Sequence, residues 1–102
     1  IAEIVELSAN EIKNILLGFK KEKEVVALLA TKSDGKPIIS VFVSDDLCHK
    51  INAVNLVNEL AVEINGGGGG QPFFATAGGK KVEGLDYCLP KFKNIIKKSQ
   101  LL

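Results

Sequence analysis

Asn65-Gly66-Gly67-Gly68-Gly69-Gly70-Gln71-Pro72-Phe73-Phe74-Ala75-Thr76-Ala77-Gly78-Gly79 is the stretch on which the reading of this chain turns. Glycine loses more conformational freedom on folding than any other residue, so a folded domain keeps five in a row only where something needs them. Pro72 stiffens the exit, Phe73 and Phe74 follow at once, and Gly78-Gly79 lead into Lys80-Lys81. One reading is a flexible linker, the usual role of glycine-rich segments. A linker separates two domains, however, and only about two dozen residues follow this one. The other reading is a structured loop whose N–H groups form an anion-binding concavity. Neither nucleotide motif is completed. Lys80 is followed by Lys81 and Val82, so there is no GxxxxGK[ST], and no long helix starts directly after the run as a dinucleotide fingerprint requires.

The remaining sequence predicts one domain over residues 1–102, with 46% hydrophobic and 25% charged residues. A net charge of +1 does not by itself point to a nucleic-acid partner. All 13 basic residues are lysine, which argues against forked recognition of bases or phosphates and leaves lysine as a point charge. Cys48 and Cys88 match no metal or redox spacing and read as buried thiols of a reducing, cytoplasmic setting. No apolar run reaches membrane-spanning length, and there is no signal peptide. The chain opens on Ile1 and holds no methionine, which predicts a piece of a longer protein.

Residues 2–7 alternate apolar and acidic and predict a short strand. Ser8 and Glu11 form a capping box ahead of a helix whose stripe is Ile12, Ile15, Leu16 and Phe19. Lys20-Lys21-Glu22-Lys23-Glu24 reads as a solvated helix end. Residues 25–31 and 38–43 predict a β-hairpin around Asp34-Gly35. Ser44-Asp45-Asp46 then predicts the N-terminus of a long helix carrying Leu47, Ile51, Val54, Val57, Leu60, Ala61 and Ile64, with Asn65-Gly66 as its C-cap. A short strand over 73–77 follows. The last helix buries Leu85, Cys88, Leu89, Phe92, Ile95 and Ile96, with Pro90 expected in its first turn and Lys91, Lys93, Lys97 and Lys98 mostly off that stripe. The fold class is α/β (α+β), a small two-layer domain with a mixed sheet and about three helices.

No group of side chains predicts catalysis. His49 stands alone on the expected long helix, and Asp45-Asp46 suit a helix N-terminus better than a metal. Ser40 and Ser44 lack a neighbouring base, and Tyr87 reads as packing. No catalytic, metal-ligating or cofactor-binding residue is assigned.

The glycine run, the proline at 72 and Ala75-Thr76-Ala77-Gly78-Gly79 together resemble a family pattern of glycines, then Arg or His, then Pro, two variable positions and Ala-x-Ala-Gly-Gly. It looks like the small domain associated with DHH phosphoesterases, which also forms the C-terminal end of alanyl-tRNA synthetases. Gln71 departs from the histidine of the phosphoesterase branch and the arginine of the synthetase branch, and Phe73 stands where a polar or acidic residue is common. The synthetase branch is favoured because the chain ends about twenty residues after the motif. That resemblance implies a parent that charges tRNA with alanine using ATP and magnesium, with zinc in its editing domain. None of those cofactors belongs to this fragment. The expected partners are tRNA at its outer corner, the parent's other domains, and a second copy in members that dimerise. The implied contact residues are Gly66, Gly67, Gly68, Gly69, Gly70, Gln71, Pro72, Gly78, Gly79, Lys80 and Lys81, with Phe73 or Phe74 either stacking on a base or buried in the core. Two alternatives stay open: an oligomerisation or interaction module, and the substrate-binding domain of a phosphoesterase.

Overall fold

The computed structural model describes residues 2–4, 9–19, 21–23, 25–33, 35–48 and 50–98. Residues 5–7, Ser8, Lys20, Glu24, Asp34 and His49 lie outside them. Five strands form one sheet in the order β1-β2-β3-β5-β4. They are β1 (Ala2–Ile4), β2 (Val26–Ser33), β3 (Lys36–Val43), β4 (Gly67–Gln71) and β5 (Phe74–Gly78). β1 runs parallel to β2 and every other pair is antiparallel, so the sheet is mixed as expected. Ser33 pairs with Lys36, a two-residue connection with Gly35 at φ 76°. Such a turn needs positive φ, which glycine supplies without strain. The strands therefore run further into the turn than the apolar runs suggested, and Lys36 and Pro37 join the ladder.

Strand alternation sends side chains to opposite faces. Leu28, Ala30, Ile39, Val41, Val43, Ala75 and Ala77 face one cluster, which α2 (Ala53–Ala61) and α3 (Leu85–Lys98) complete with Leu56, Val57, Leu60, Leu85, Cys88, Phe92 and Ile96. Ala27, Leu29 and Phe42 face the other cluster, covered by Ile12 and Leu16 of α1 (Ala9–Leu17). Phe73 and Phe74 are half-buried against this second cluster. Three helices on a mixed sheet is the fold class expected, but α1 covers the second face and so adds a third layer where two were expected. Ile15, assigned to the apolar stripe, is 45% exposed, because a nine-residue helix lays only the Ile12–Leu16 edge on the sheet.

Two helix boundaries differ from expectation. The long helix is divided into a 3₁₀ turn at Asp45–Leu47, α2, and a second 3₁₀ turn at Val62–Ile64. Asn52 caps α2, its Oδ1 accepting the N–H groups of Val54 (2.8 Å) and Asn55 (3.3 Å). Ser44 stands at the N-cap of the first 3₁₀ turn, but its side chain makes no cap bond; its buried Oγ accepts the Val25 N–H at 3.0 Å and holds the entry of β2. Pro90, expected in the first turn, is the sixth residue of α3. The apolar spacing Leu85, Cys88, Phe92, Ile96 carries the helix through it. The carbonyl deprived of its donor is that of Asp86, and both residues are exposed, so solvent can serve it. Replacing Pro90 by alanine restores a donor at no packing cost. Pro90→Ala should raise unfolding free energy by about 1–3 kcal/mol in urea titrations. An unchanged or lowered value would show that α3 does not run through this position.

Cys88 is buried, and its Sγ–H donates to the Leu60 carbonyl at 3.5 Å. Burial, then the charge of Glu63, pushes its thiol up from 9.0 to about 11, with Lys91 opposing. The folded pKa exceeds the unfolded one, so this contribution is complete below pH 9 and is lost as pH rises toward 11. Chemical denaturation between these values should show falling stability, with a shallower fall in Cys88→Ala. An identical slope in the variant would contradict the assignment.

Candidate functional site

The glycine run is not a loop. Gly67–Gln71 is a strand, β4, at the edge of the sheet, and residues 72 and 73 turn it back into β5. Added side chains separate its glycines into two sets. At Gly66, Gly68 and Gly70 a Cβ would run into the carbonyl oxygens of Gly78, Thr76 and Phe74 on the paired strand. At Gly67 and Gly69 a Cβ would meet nothing. The first set is required by close backbone approach, the second is not. The same economy of volume explains Ala75 and Ala77, which lie under α2 on the sheet. It also explains Gly79 and Gly84, whose Cβ atoms would strike the Ile64 and Glu63 carbonyls.

The N–H groups of this region are largely engaged. Gly66 donates to the Ala61 carbonyl (3.0 Å) and Gly68 to Asn58 Oδ1 (3.2 Å). Gly79 donates to the Pro37 carbonyl (3.1 Å), and Lys80 and Lys81 both donate to the Ile64 carbonyl (2.8 and 2.9 Å). These five donors hold the fold together, so they are not arranged as a nest for an anion.

A different site emerges at one end of the β4–β5 pair. Asn65, in the left-handed region at φ 53°, ends the second 3₁₀ turn and delivers Gly66 to β4. Gly78 and Gly79 leave β5 beside it, and β3 starts alongside with Lys36, Pro37 and Ile38. Together with Lys80 these residues line an open cleft of about 400 Å³. Lys36, Asn65 and Lys80 are exposed, and neither lysine forms an ion pair among the described residues. Lys32, the register partner of Pro37, places another exposed ammonium one strand away. The chemistry of the cleft is therefore positive charge on its rim, the exposed Asn65 amide, and a wall of proline, isoleucine and bare backbone.

Of the residues selected from sequence, Gly66, Gly78, Gly79 and Lys80 meet at this cleft. Lys81 is exposed immediately beyond it. Gln71 and Pro72 lie at the opposite end of β4, about 13–16 Å away at strand rise. Gly67, Gly68, Gly69 and Gly70 span the distance between. Lys36, Pro37, Ile38 and Asn65 were missed. Ser33 pairs with Lys36, and the Asp-Gly dipeptide between the apolar runs was the available sequence signal for that register.

The family model of the DHHA1 domain matches residues 2–98. The chain belongs to the DHHA1 family. It is 42% identical over 98 residues to an alanine–tRNA ligase of Cytophaga hutchinsonii, covering 93% of this chain and 11% of that protein. It is 39% identical over 100 residues to the alanine–tRNA ligase of Christiangramia forsetii, covering 95% and 12%. The chain thus spans about a tenth of the length of these relatives. Its fold is similar to the C-Ala domain of Aquifex aeolicus alanyl-tRNA synthetase, with a TM-score of 0.76, 22% identity, and coverage of 96% of this chain and 88% of that one.

The two glycine sets separate packing from accessibility. Gly68→Ala should cost about 3 kcal/mol or more by forcing β4 off β5. Gly67→Ala should be neutral or stabilise by about 0.5 kcal/mol through the unfolded state. Thermal unfolding of both variants checks the contrast, and equal losses would refute the alternation.

Proposed function

We propose that residues 1–102 are the tRNA-corner-binding domain of an alanyl-tRNA synthetase. The module holds tRNA while the parent's aminoacylation and editing sites act on it in the cytoplasm. Alanine activation with ATP and magnesium, and zinc-dependent editing, belong to other domains of that parent. The observation that carries this reading is the cleft in which the family's glycine motif meets Lys36 and Lys80, two exposed lysines without an ion pair among the described residues. Phosphate contacts supply most of the affinity for RNA and need only positioned charge, which lysine provides without arginine. Lys81 and the exposed backbone of β4 toward Gln71 extend this surface beyond the cleft.

The assembly-module reading called for an exposed Phe73-Phe74 patch. Both rings are half-buried against the α1 cluster, which weighs against that form of it. Dimerisation is retained as an outcome of the same experiment.

The chain should be titrated with alanine tRNA and an unrelated tRNA at two salt concentrations. Binding to both that weakens steeply with salt supports a domain that reads shape and backbone. Lys36→Ala and Lys80→Ala should each weaken binding about fivefold and lower the salt slope by about one. Loss of neither affinity nor slope in the double variant would refute the cleft as the RNA surface. A chain that binds no tRNA and dimerises by light scattering would replace this reading with assembly.

A further inference from the structure

The cleft has more shape than phosphate binding alone requires. Ile38, Gly78 and Gly67 are register partners across β3, β5 and β4 and so lie in one row on one face of the sheet. At Gly67 a Cβ would meet nothing, and at Gly78 it would come no closer than 3.9 Å to the Pro37 carbonyl. Neither glycine is imposed by packing, in contrast to Gly66, Gly68, Gly70 and Gly79. The row is a strip of bare backbone that begins at the half-buried Ile38 side chain. Its Gly78 end forms part of the cleft, with Lys36 and Lys80 on the rim. Asn65, whose backbone is fixed in the left-handed region, makes no side-chain hydrogen bond among the described residues and offers both a donor and an acceptor.

We infer that this cleft is a slot for one unstacked nucleotide of a bound RNA, its phosphate between Lys36 and Lys80 and its base laid on the Gly78 backbone against Pro37 and Ile38. The inference rests on the RNA-binding reading above and deepens it. Single-stranded bases splayed out of loops and corners are the parts of RNA that proteins hold individually. A flat base stacks on a surface without side chains, and a cleft of about 400 Å³ lies within the range of small-ligand pockets. A phosphate alone would not need the apolar wall, and a smooth backbone track would not need a concavity. The engaged N–H groups of Gly66, Gly79 and Lys80 leave the Asn65 amide as the group positioned to meet a base edge.

The test is an amide-resolved NMR titration of the 102-residue chain with guanosine monophosphate, cytidine monophosphate, guanosine and inorganic phosphate. Saturable shifts at Gly66, Gly78, Gly79 and Lys80 are expected with the monophosphates. Binding of guanosine or phosphate alone should be weaker by roughly tenfold or more. Gly78→Val should fill the slot and abolish these shifts with an unchanged unfolding midpoint. The same variant should weaken tRNA binding while leaving its salt slope intact, because no charge is removed. Lys36→Ala lowers the slope, so the two variants report on different halves of the site. Phosphate binding as tightly as the monophosphates would overturn the slot. So would Gly78→Val leaving tRNA affinity unchanged, and in that case the RNA reading stands. Saturable monophosphate binding without tRNA binding would retain the slot and remove the RNA reading.

Discussion

The structure depends on one approach of backbone to backbone. β4 lies so close to β5 that Gly66, Gly68 and Gly70 have no room for a side chain on that side, and Gly68 also gives its N–H to Asn58 of α2. Ala75 and Ala77 keep the neighbouring strand equally lean beneath that helix. This closeness brings the end of α2, the start of β4 and the end of β5 to one place. The Ile64 carbonyl receives Lys80 and Lys81 there, and the Pro37 carbonyl receives Gly79. The cleft is the consequence of that convergence. Lys80 is held at the mouth by its bond to the Ile64 carbonyl, and Lys36 by its pairing with Ser33 of β2.

That constraint alters what the glycine motif means chemically. A glycine nest binds an anion through free N–H groups. Here the donors at Gly66, Gly68, Gly79, Lys80 and Lys81 are engaged inside the fold. Charge at the site comes instead from two side chains remote in sequence, Lys36 on β3 and Lys80 after β5. Lysine ammonium groups attract phosphate without fixing its orientation. Whatever orientation the site imposes on a ligand must come from shape, from Pro37, Ile38 and the Asn65 amide.

Much of the fold was legible in the chain, and the exceptions have identifiable causes. The hairpin followed from the Asp34-Gly35 turn between apolar runs, and α3 from its apolar spacing. The glycine run was misread as a loop because glycine carries no strand periodicity. Only the steric demand of a partner strand, a long-range fact, makes it β4. Ser44 and Pro90 mark the opposite failure, in which strong local signals yielded to packing. Asn52 offered the better cap for α2, and the buried face of α3 carried that helix past its proline. Half of the cleft was visible as Gly66, Gly78, Gly79 and Lys80. The other half required the register of β3 against β5 for Lys36, Pro37 and Ile38, and the left-handed end of the second 3₁₀ turn for Asn65.

The central claim is that the RNA surface is centred on the cleft end of β4 and not on the Gln71 end. Amide chemical-shift mapping of the labelled chain on addition of alanine tRNA tests this most directly. The largest perturbations are expected at Lys36, Asn65, Gly66 and 78–80, fading along β4 toward Gln71. Perturbations centred on Gln71 and Phe73, with the cleft residues unmoved, would contradict it.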